Sequence, residues 1–460
     1  MSTPQELIEK ILAKVDFDEC MVLVDESTEA NLRWANSTLT TNGMIASRKV
    51  TVIAFVAVEG GMASGTATRA DVSDDDISQL LREAVENAHA AGAADDYADI
   101  RRDFAVGDWN ALHQATGPDV FGTVAPALGD TFSRSVADGI ELFGYAEHSM
   151  VTTWLGSKGG LRLRYDLPTG RIEMTAKSHS RTRSTWEGRS TRDFSDIDVL
   201  EVDSALRTKL EWQSRQLEAP AGRYETVFTP SAVTDLLVYA LWMADARSAH
   251  EGRSVFSKKG GGTRVGELIA NVPINLYSDP TYAGMEAAPF LATAESGSHA
   301  SVFDNGQSLG RVDWIKDGHL ASLVQTRSTA ALTQLPFTPF GDNVILEAPG
   351  ATGSTMDLVA STESGLLVNT LWYIRTVDPV TLLLTGLTRD GVYKIEGGEV
   401  VGAVNNFRWN ESPVDLWSRI SAIGATEITQ AREWAGDADR MATPAIRFSN
   451  FNMSTVSQAN

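Results

Sequence analysis

Residues 343–402 read NVILEAPGATGSTMDLVASTESGLLVNTLWYIRTVDPVTLLLTGLTRDGVYKIEGGEVVG. An apolar strand ends at Pro349-Gly350, and a short polar helix is predicted from Ser354 to Ser361. The apolar run 365–368 comes next, and a Glu-Gly-Gly-Glu turn at 396–399 joins two later strands. Short turns between strands are typical of an antiparallel sheet, so this part of the chain is predicted to be mostly β, with a few helices.

The domain organisation follows from working outward from this stretch. A chain of 460 residues is too long for one ordinary core, so two or three domains are expected. The predicted fold class is α+β. We expect an N-terminal αβ region in two parts, over 1–95 and 115–218, and a C-terminal domain dominated by antiparallel strands over 223–460.

Local patterns support these two N-terminal modules. In the first, 20–25 and 48–58 are predicted strands, and a helix is predicted after Ser73, which we expect to be its N-cap. In the second, a helix is predicted over 201–218. Four short strands should precede it, at 138–146, 150–156, 159–166 and 170–179.

Charge and cysteine content exclude several classes of function. The formal net charge of −21 opposes binding to nucleic acid and to an anionic membrane surface, because both require clustered cations. The one cysteine, Cys20, excludes a disulfide framework. No uncharged apolar run reaches the roughly 18 residues needed to cross a bilayer, and the first residues do not resemble a secretory signal. We therefore expect a cytoplasmic protein.

The order of elements in 343–402 resembles the C-terminal domain of the TldD/TldE (PmbA) family of intracellular metallopeptidase subunits. The resemblance extends in both directions and covers nearly the whole chain. It implies one of two kinds of subunit, because only one kind in the family carries a zinc-binding HExxxH helix. This chain resembles the other, TldE-like kind.

The segment 229–252, TPSAVTDLLVYALWMADARSAHEG, corresponds to that helix. The resemblance places Val238 and Met243 at the two histidine positions and Tyr239 at the glutamate position. None of the three is a usual zinc ligand or carboxylate base. The family's cysteine ligand from the C-terminal region has no counterpart either. We therefore assign no catalytic residue and no metal ligand to this chain, and expect zinc in a partner subunit.

Two other sites attract attention because of their residue types. His250-Glu251 mimics the start of a zinc-protease motif, but Ser254 and Val255 stand where the second histidine is needed. The segment 181–192 is predicted to be a loop that contains four arginines. These arginines either clamp a carboxylate or phosphate, or pair with neighbouring acidic side chains.

Two apolar segments have alternative interpretations. The helix over 236–244 is hydrophobic around most of its circumference, which predicts burial in the core or contact with a partner subunit. The candidates for a partner interface are Trp242, Met243 and Tyr239. Residues 366–378 form either a central strand or an edge strand that receives an extended peptide.

The resemblance implies a non-catalytic subunit of a zinc metallopeptidase. Its partner is expected to be a TldD-like catalytic chain that bears HExxxH, and its substrates unfolded or leader-bearing peptides. Two alternatives remain: a metal-free homodimer that binds peptides or acts as a scaffold, and a homodimeric hydrolase with an unrecognised site.

Overall fold

The N-terminal region begins with a helix and then alternates long strands with helices. A computed structural model describes residues 2–102 and 104–457. The elements of this region are α1 Pro4–Ala13, β1 Glu19–Ala35, β2 Thr38–Val58, β3 Gly61–Ala70, α2 Ile77–Ala91, β4 Ala105–Val106, α3 Val124–Ala137, β5 Glu141–Ser157, β6 Arg162–Ser178, β7 Arg183–Thr191 and α4 Val199–Trp212.

The strands of both N-terminal modules form one sheet. Its order is β3-β2-β1-β5-β6-β4, with β7 also paired to β6. The contact between the modules is the long antiparallel pairing of β1 with β5. β1 and β5 are each 17 residues long. Through their pairing the two modules share one continuous hydrogen-bonded sheet.

The predictions of the strands between 138 and 179 and of the N-cap of α2 were wrong. The four short strands expected between 138 and 179 are two long ones, β5 and β6. Residues 141–156 pair without interruption to 162–177, which explains why the polar residues inside them do not end a strand. The N-cap of α2 is Asp76 rather than Ser73, whose backbone N–H and hydroxyl both donate to the Asp76 carboxylate.

The C-terminal domain has more strands than helices, as predicted. Its elements are β8 Gly222–Phe228, α5 Pro230–Trp242, α6 Ala246–His250, β9 Asn275–Ser278, β10 Val312–Lys316, β11 His319–Leu320, α7 Arg327–Thr333, β12 Val344–Glu347, α8 Thr355–Ala360, β13 Ser364–Asp378, β14 Leu383–Glu396, β15 Glu399–Ala403, β16 Phe407–Glu411, α9 Pro413–Leu416, β17 Ile420–Thr429 and β18 Met441–Val456. The short helix predicted from Ser354 is α8, with Ser354 as its N-cap.

Five of these strands close into a ring. β8 pairs in parallel with β13 and antiparallel with β18. β14 and β16 complete the circuit from β13 back to β18. The helix α5 packs against β13, β17 and β18, and its side chains belong to a large hydrophobic core. Two strands of the ring, β13 and β18, therefore lie against α5, the helix of the segment 229–252.

β13 is a central strand in its first part and an edge strand in its second part, so each interpretation of residues 366–378 holds for part of the strand. Over 366–368 it is hydrogen-bonded to β8 on one side and β14 on the other. From Thr370 onward β14 is its only strand neighbour among the described residues. Along this second part, the Glu433 carboxylate accepts a hydrogen bond from the Ile374 N–H at 2.8 Å. Peptide addition to this edge stays a prediction.

No helix within residues 2–102 and 104–457 is long and apolar enough to cross a membrane.

Candidate functional site

The helix α5 begins where the sequence Thr229-Pro230 requires it. Proline at the first helical position has no N–H to leave unpaired. Thr229 caps the helix, since its hydroxyl oxygen accepts a hydrogen bond from the Ala232 N–H at 3.4 Å. The same hydroxyl donates to the Asn369 carbonyl on β13 at 2.6 Å. This cap therefore ties the start of the helix to the strand ring.

Nearly all of α5 is buried. Every residue from Pro230 to Leu241 is buried, whichever face of the helix it occupies. The prediction of a helix that is hydrophobic around most of its circumference is therefore confirmed, as is its contribution to the core. Only the C-terminal end reaches solvent, where Trp242 is 40% exposed.

The three positions that the resemblance assigns to the zinc motif hold side chains that serve packing. Val238 is 3% exposed and belongs to the hydrophobic core. The Tyr239 hydroxyl donates to the Ile374 carbonyl at 2.8 Å, and burial raises the pKa of Tyr239 to about 12, so this phenol is neutral at ordinary pH. Met243 is the C-cap residue and is partly buried. An alkyl group, a neutral phenol and a thioether do not form a usual zinc site.

The surroundings of α5 do not compensate for these side chains. Among residues 2–102 and 104–457, no group of three or more His, Cys, Asp or Glu could hold a metal ion. Cys20 lies in the first sheet, where burial raises the pKa of its thiol. The donor set present at the motif positions therefore does not fit zinc.

A small cavity of about 230 Å³ lies beside Val238 and Trp242. His299 lines it, with a buried Nε2 atom that has no hydrogen-bond partner among the described residues. Burial lowers the pKa of His299, so this imidazole is neutral near pH 7. Asp342, Asp437 and Arg440 also line the cavity. His299 and these two aspartates form no metal-binding group of three in the described part of the chain, so the cavity does not have the ligand set of a zinc site.

A buried carboxylate in α5 was missed in the sequence analysis. Asp235 is 0% exposed and accepts hydrogen bonds from the backbone N–H groups of Arg432 and Glu433 at 3.2 and 3.0 Å. Burial raises its pKa to about 8, because loss of solvation outweighs these donors. Asp235 thereby holds the 432–434 loop against the helix. An aspartate inside the apolar run 230–242 was the available signal.

An aromatic cluster covers the C-terminal end of α5. The ring centroids of Tyr239 and Trp242 are 5.1 Å apart, and those of Trp242 and Trp434 are 4.6 Å apart. Glu433, next to Trp434, forms an ion pair with Arg375 at 3.1 Å. Of the three interface candidates, Trp242 is exposed, Met243 is partly buried and Tyr239 is 6% exposed. Their contact with a partner stays a prediction.

His250-Glu251 forms no metal motif in three dimensions. His250 is the last residue of the short helix α6. The Glu251 carboxylate bonds to Arg247 at 3.2 Å and also pairs with Arg253. This glutamate is therefore engaged in salt bridges at the end of a helix.

The arginine-rich segment 181–192 is largely strand β7, so the predicted loop was wrong. Three of its arginines pair with glutamates, as one of the two interpretations expected. Arg181 bonds to Glu141 at 2.6 Å, Arg189 to Glu187 at 2.6 Å and Arg192 to Glu286 at 2.8 Å.

Two domain models of one protein family match this chain, one in its N-terminal region and one over its C-terminal domain. The model of the PmbA/TldA metallopeptidase C-terminal domain matches residues 221–455, and the model of domain 1 matches residues 20–88. No curated protein matches the chain.

Three solved structures have a similar fold. TldE from Thermococcus kodakarensis is 16% identical with a TM-score of 0.77, over 97% of this chain and 99% of that chain. A proposed modulator of a DNA gyrase from Thermotoga maritima is 15% identical with a TM-score of 0.74, over 94% and 95%. A proposed modulator of DNA gyrase from Bacteroides thetaiotaomicron is 13% identical with a TM-score of 0.73, over 98% of each chain. At these identities the similarity establishes the fold.

Proposed function

This chain belongs to the PmbA/TldD family of metallopeptidases, and we propose that it is a non-catalytic, TldE-like subunit of a two-subunit zinc peptidase. In this proposal a TldD-like chain carries the HExxxH helix and the zinc ion. The pair works in the cytoplasm on unfolded or leader-bearing peptides. This chain contributes walls of the peptide-binding chamber and restricts the access of folded proteins.

One observation carries the proposal: the helix that corresponds to the zinc motif is built for packing. Val238 lies in the core, and the Tyr239 hydroxyl is hydrogen-bonded to the Ile374 carbonyl. Replacing these side chains with ligands would break that packing, because the cap at Thr229 and the Asp235 contacts fix the helix in place. The same helix therefore has a structural role in this chain, whereas a catalytic role is left to a partner.

The exposed end of α5 supports assembly with another subunit. Trp242 exposes 40% of its surface although it packs on Trp434. Large aromatic side chains are enriched where protein interfaces are fully buried. In the proposal, Trp242 and Met243 lie at the contact with the partner, and Tyr239 packs against the Trp242 ring.

The proposal is tested by measuring zinc content and peptide cleavage for this chain, for a TldD-like chain from the same genome, and for their mixture. An unstructured peptide and a folded protein serve as substrates. We expect less than stoichiometric zinc and no chelator-sensitive cleavage from this chain alone. The mixture should cleave the peptide, spare the folded protein and lose activity on addition of a chelator.

Chelator-sensitive cleavage by this chain alone, with stoichiometric zinc, would overturn the proposal. Cleavage by this chain alone that resists a chelator would instead favour the homodimeric hydrolase. Peptide binding without cleavage and without any effect on a TldD-like chain would favour the scaffold homodimer.

A further inference from the structure

A cleft of about 540 Å³ separates the N-terminal region from the C-terminal domain. β7 and α4 line it from the N-terminal region, and the first turn of α5, the start of α8 and the end of β17 line it from the C-terminal domain. Two tryptophans and two aliphatic residues give the cleft an apolar lining: Trp186, Trp212, Met356 and Leu367. The cleft touches none of the zinc-motif positions.

The cations of this cleft already have partners. The Lys209 ammonium bonds to the Glu187 carboxylate, and it also donates to the Asn369 side-chain oxygen at 2.5 Å. The Arg189 guanidinium donates to the other oxygen of Glu187 at 2.6 Å. Both cations are hydrogen-bonded to Glu187, whose single charge offsets one of the two positive charges. Glu201 and Glu427 also line the cleft, so two cations stand against three carboxylates and the charge of the lining side chains sums to −1.

The N-terminus of α5 is also poorly suited to an anion. Anions bind helix N-termini through free backbone N–H groups of the first turn. Here Pro230 has none, the Ala232 N–H donates to the Thr229 cap, and the Val233 N–H donates to the Thr229 carbonyl. Most of the donors that an anion needs are missing or occupied.

Acceptors, in contrast, lack partners. The carboxylates of Glu201 and Glu427 line the cleft, and neither forms a hydrogen bond or an ion pair within residues 2–102 and 104–457. Both attract Arg189 at longer range. Ser231 lines the same cleft and is 8% exposed, and its hydroxyl has no partner in the described part of the chain. Glu201 and Glu427 are exposed, whereas Ser231 is buried. A buried polar group without a partner costs about 1–3 kcal/mol, which a ligand group at Ser231 can recover.

From these contacts we infer that the cleft binds a lysine or arginine side chain of an extended peptide. Glu201 and Glu427 receive the cationic group, and the Ser231 hydroxyl accepts a hydrogen bond from it or from the peptide backbone. The aliphatic stem packs between Trp186, Trp212 and the other apolar lining residues, where tryptophan also attracts a nearby cation. The inference rests on the proposed function only in taking the cation to be carried by a peptide.

Calorimetric titration of the purified chain tests this inference without any partner subunit. The probes are the blocked peptide acetyl-Gly-Gly-Lys-Gly-Gly-amide, its norleucine analogue, which keeps the stem without the charge, and cadaverine. We expect saturable binding of the lysine peptide, at least tenfold weaker binding of the norleucine peptide, and weaker binding of free cadaverine than of the lysine peptide.

Variants identify the groups that bind. Glu201→Gln and Glu427→Gln should each weaken the lysine peptide several-fold, and together at least tenfold. Glu59→Gln, in the exposed turn between β2 and β3, is the matched control and should leave binding unchanged. Ser231→Ala should weaken binding while leaving the melting temperature equal or higher, because it removes a buried hydroxyl that has no partner in the free protein.

Three results would overturn the inference: no saturable binding of the lysine peptide at millimolar concentration, equal binding of the norleucine peptide, or unchanged binding in the correctly folded double glutamine variant. Cadaverine binding as tightly as the peptide would overturn the assignment to a peptide. Any of these leaves the two-subunit proposal intact, since that proposal is judged by zinc and cleavage in the mixture.

Discussion

Asp235 shows how one side chain can organise the surroundings of α5. Its carboxylate lies inside an apolar helix and accepts hydrogen bonds from a loop almost two hundred residues further along the chain. The residue types at Val238, Tyr239 and Met243 can be read from the sequence, and their assignment to the zinc-motif positions stays a prediction. The role of Asp235 could not be predicted, because its partners, Arg432 and Glu433, lie almost two hundred residues away in the sequence.

The raised pKa of Asp235 predicts a pH dependence of stability. Because burial raises this pKa from 3.8 to about 8, the folded protein holds the proton more tightly than the unfolded chain. The resulting stabilisation is fully present below about pH 4 and is lost as the pH rises towards about 8. A tenfold change in proton affinity corresponds to about 1.4 kcal/mol, so the loss should amount to several kcal/mol.

Urea denaturation across this pH range checks the prediction with two variants. Asp235→Asn should flatten the decline in the free energy of unfolding. Asp130→Asn, at an exposed position of α3, is the control and should follow the wild-type curve. Burial also raises the pKa of Glu433, which contributes a decline in the same direction in all three proteins. Parallel curves for wild type and Asp235→Asn would contradict the assignment.

At the scale of elements, the character of α5 was predictable and the lengths of the strands were not. An apolar run around the whole helix circumference predicts burial whatever surrounds it. In contrast, β5 and β6 contain polar residues that sequence patterns assign to turns. They continue as strands because 16 residues of each pair with the other, and this pairing is not a local property. The basic segment 183–191 became a strand for the same reason, through pairing with β6.

A pair of substitutions in α5 separates interface from core. Trp242→Asp alters the exposed end and should prevent assembly with the partner, while costing the monomer about 1–2 kcal/mol through lost aromatic contacts. Leu237→Asp places a charge where the side chain is 3% exposed and should cost about 4 kcal/mol or more. Size-exclusion chromatography and thermal melting provide the two measurements. Normal assembly of a folded Trp242→Asp protein would remove Trp242 from the interface.

The close packing of β3 on α2 gives a second prediction at this scale. A Cβ atom added to Gly65 would lie 2.1 Å from the Ala88 backbone nitrogen, so Gly65→Ala must push the helix off the strand. We expect a loss of about 1–3 kcal/mol from overpacking. Gly129→Ala in α3 is the matched control: nothing lies within 4 Å of its added Cβ, and it should gain up to about 1 kcal/mol. Equal thermal stability of the two variants would refute this account.

At the scale of the whole molecule, the α+β class was correctly predicted. The closure of five C-terminal strands into a ring was not predicted. The prediction of a β-rich C-terminal domain came from strand and turn patterns that act over short distances. The ring closes because β8 pairs with both β13 and β18, which lie far apart in sequence. The single N-terminal sheet likewise depends on β1 pairing with β5. Neither pairing has a signature in one sequence.

The central claim is that this chain is the zinc-free subunit of a peptidase, and native mass spectrometry tests it most directly. The tagged chain is isolated gently from its own cell extract, and the mass and metal content of each species are measured. We expect a complex with an HExxxH-bearing chain of similar mass, with zinc that stays on that chain when the subunits are separated. Zinc bound to this chain by itself, or a metal-free oligomer of this chain with no partner, would contradict the claim.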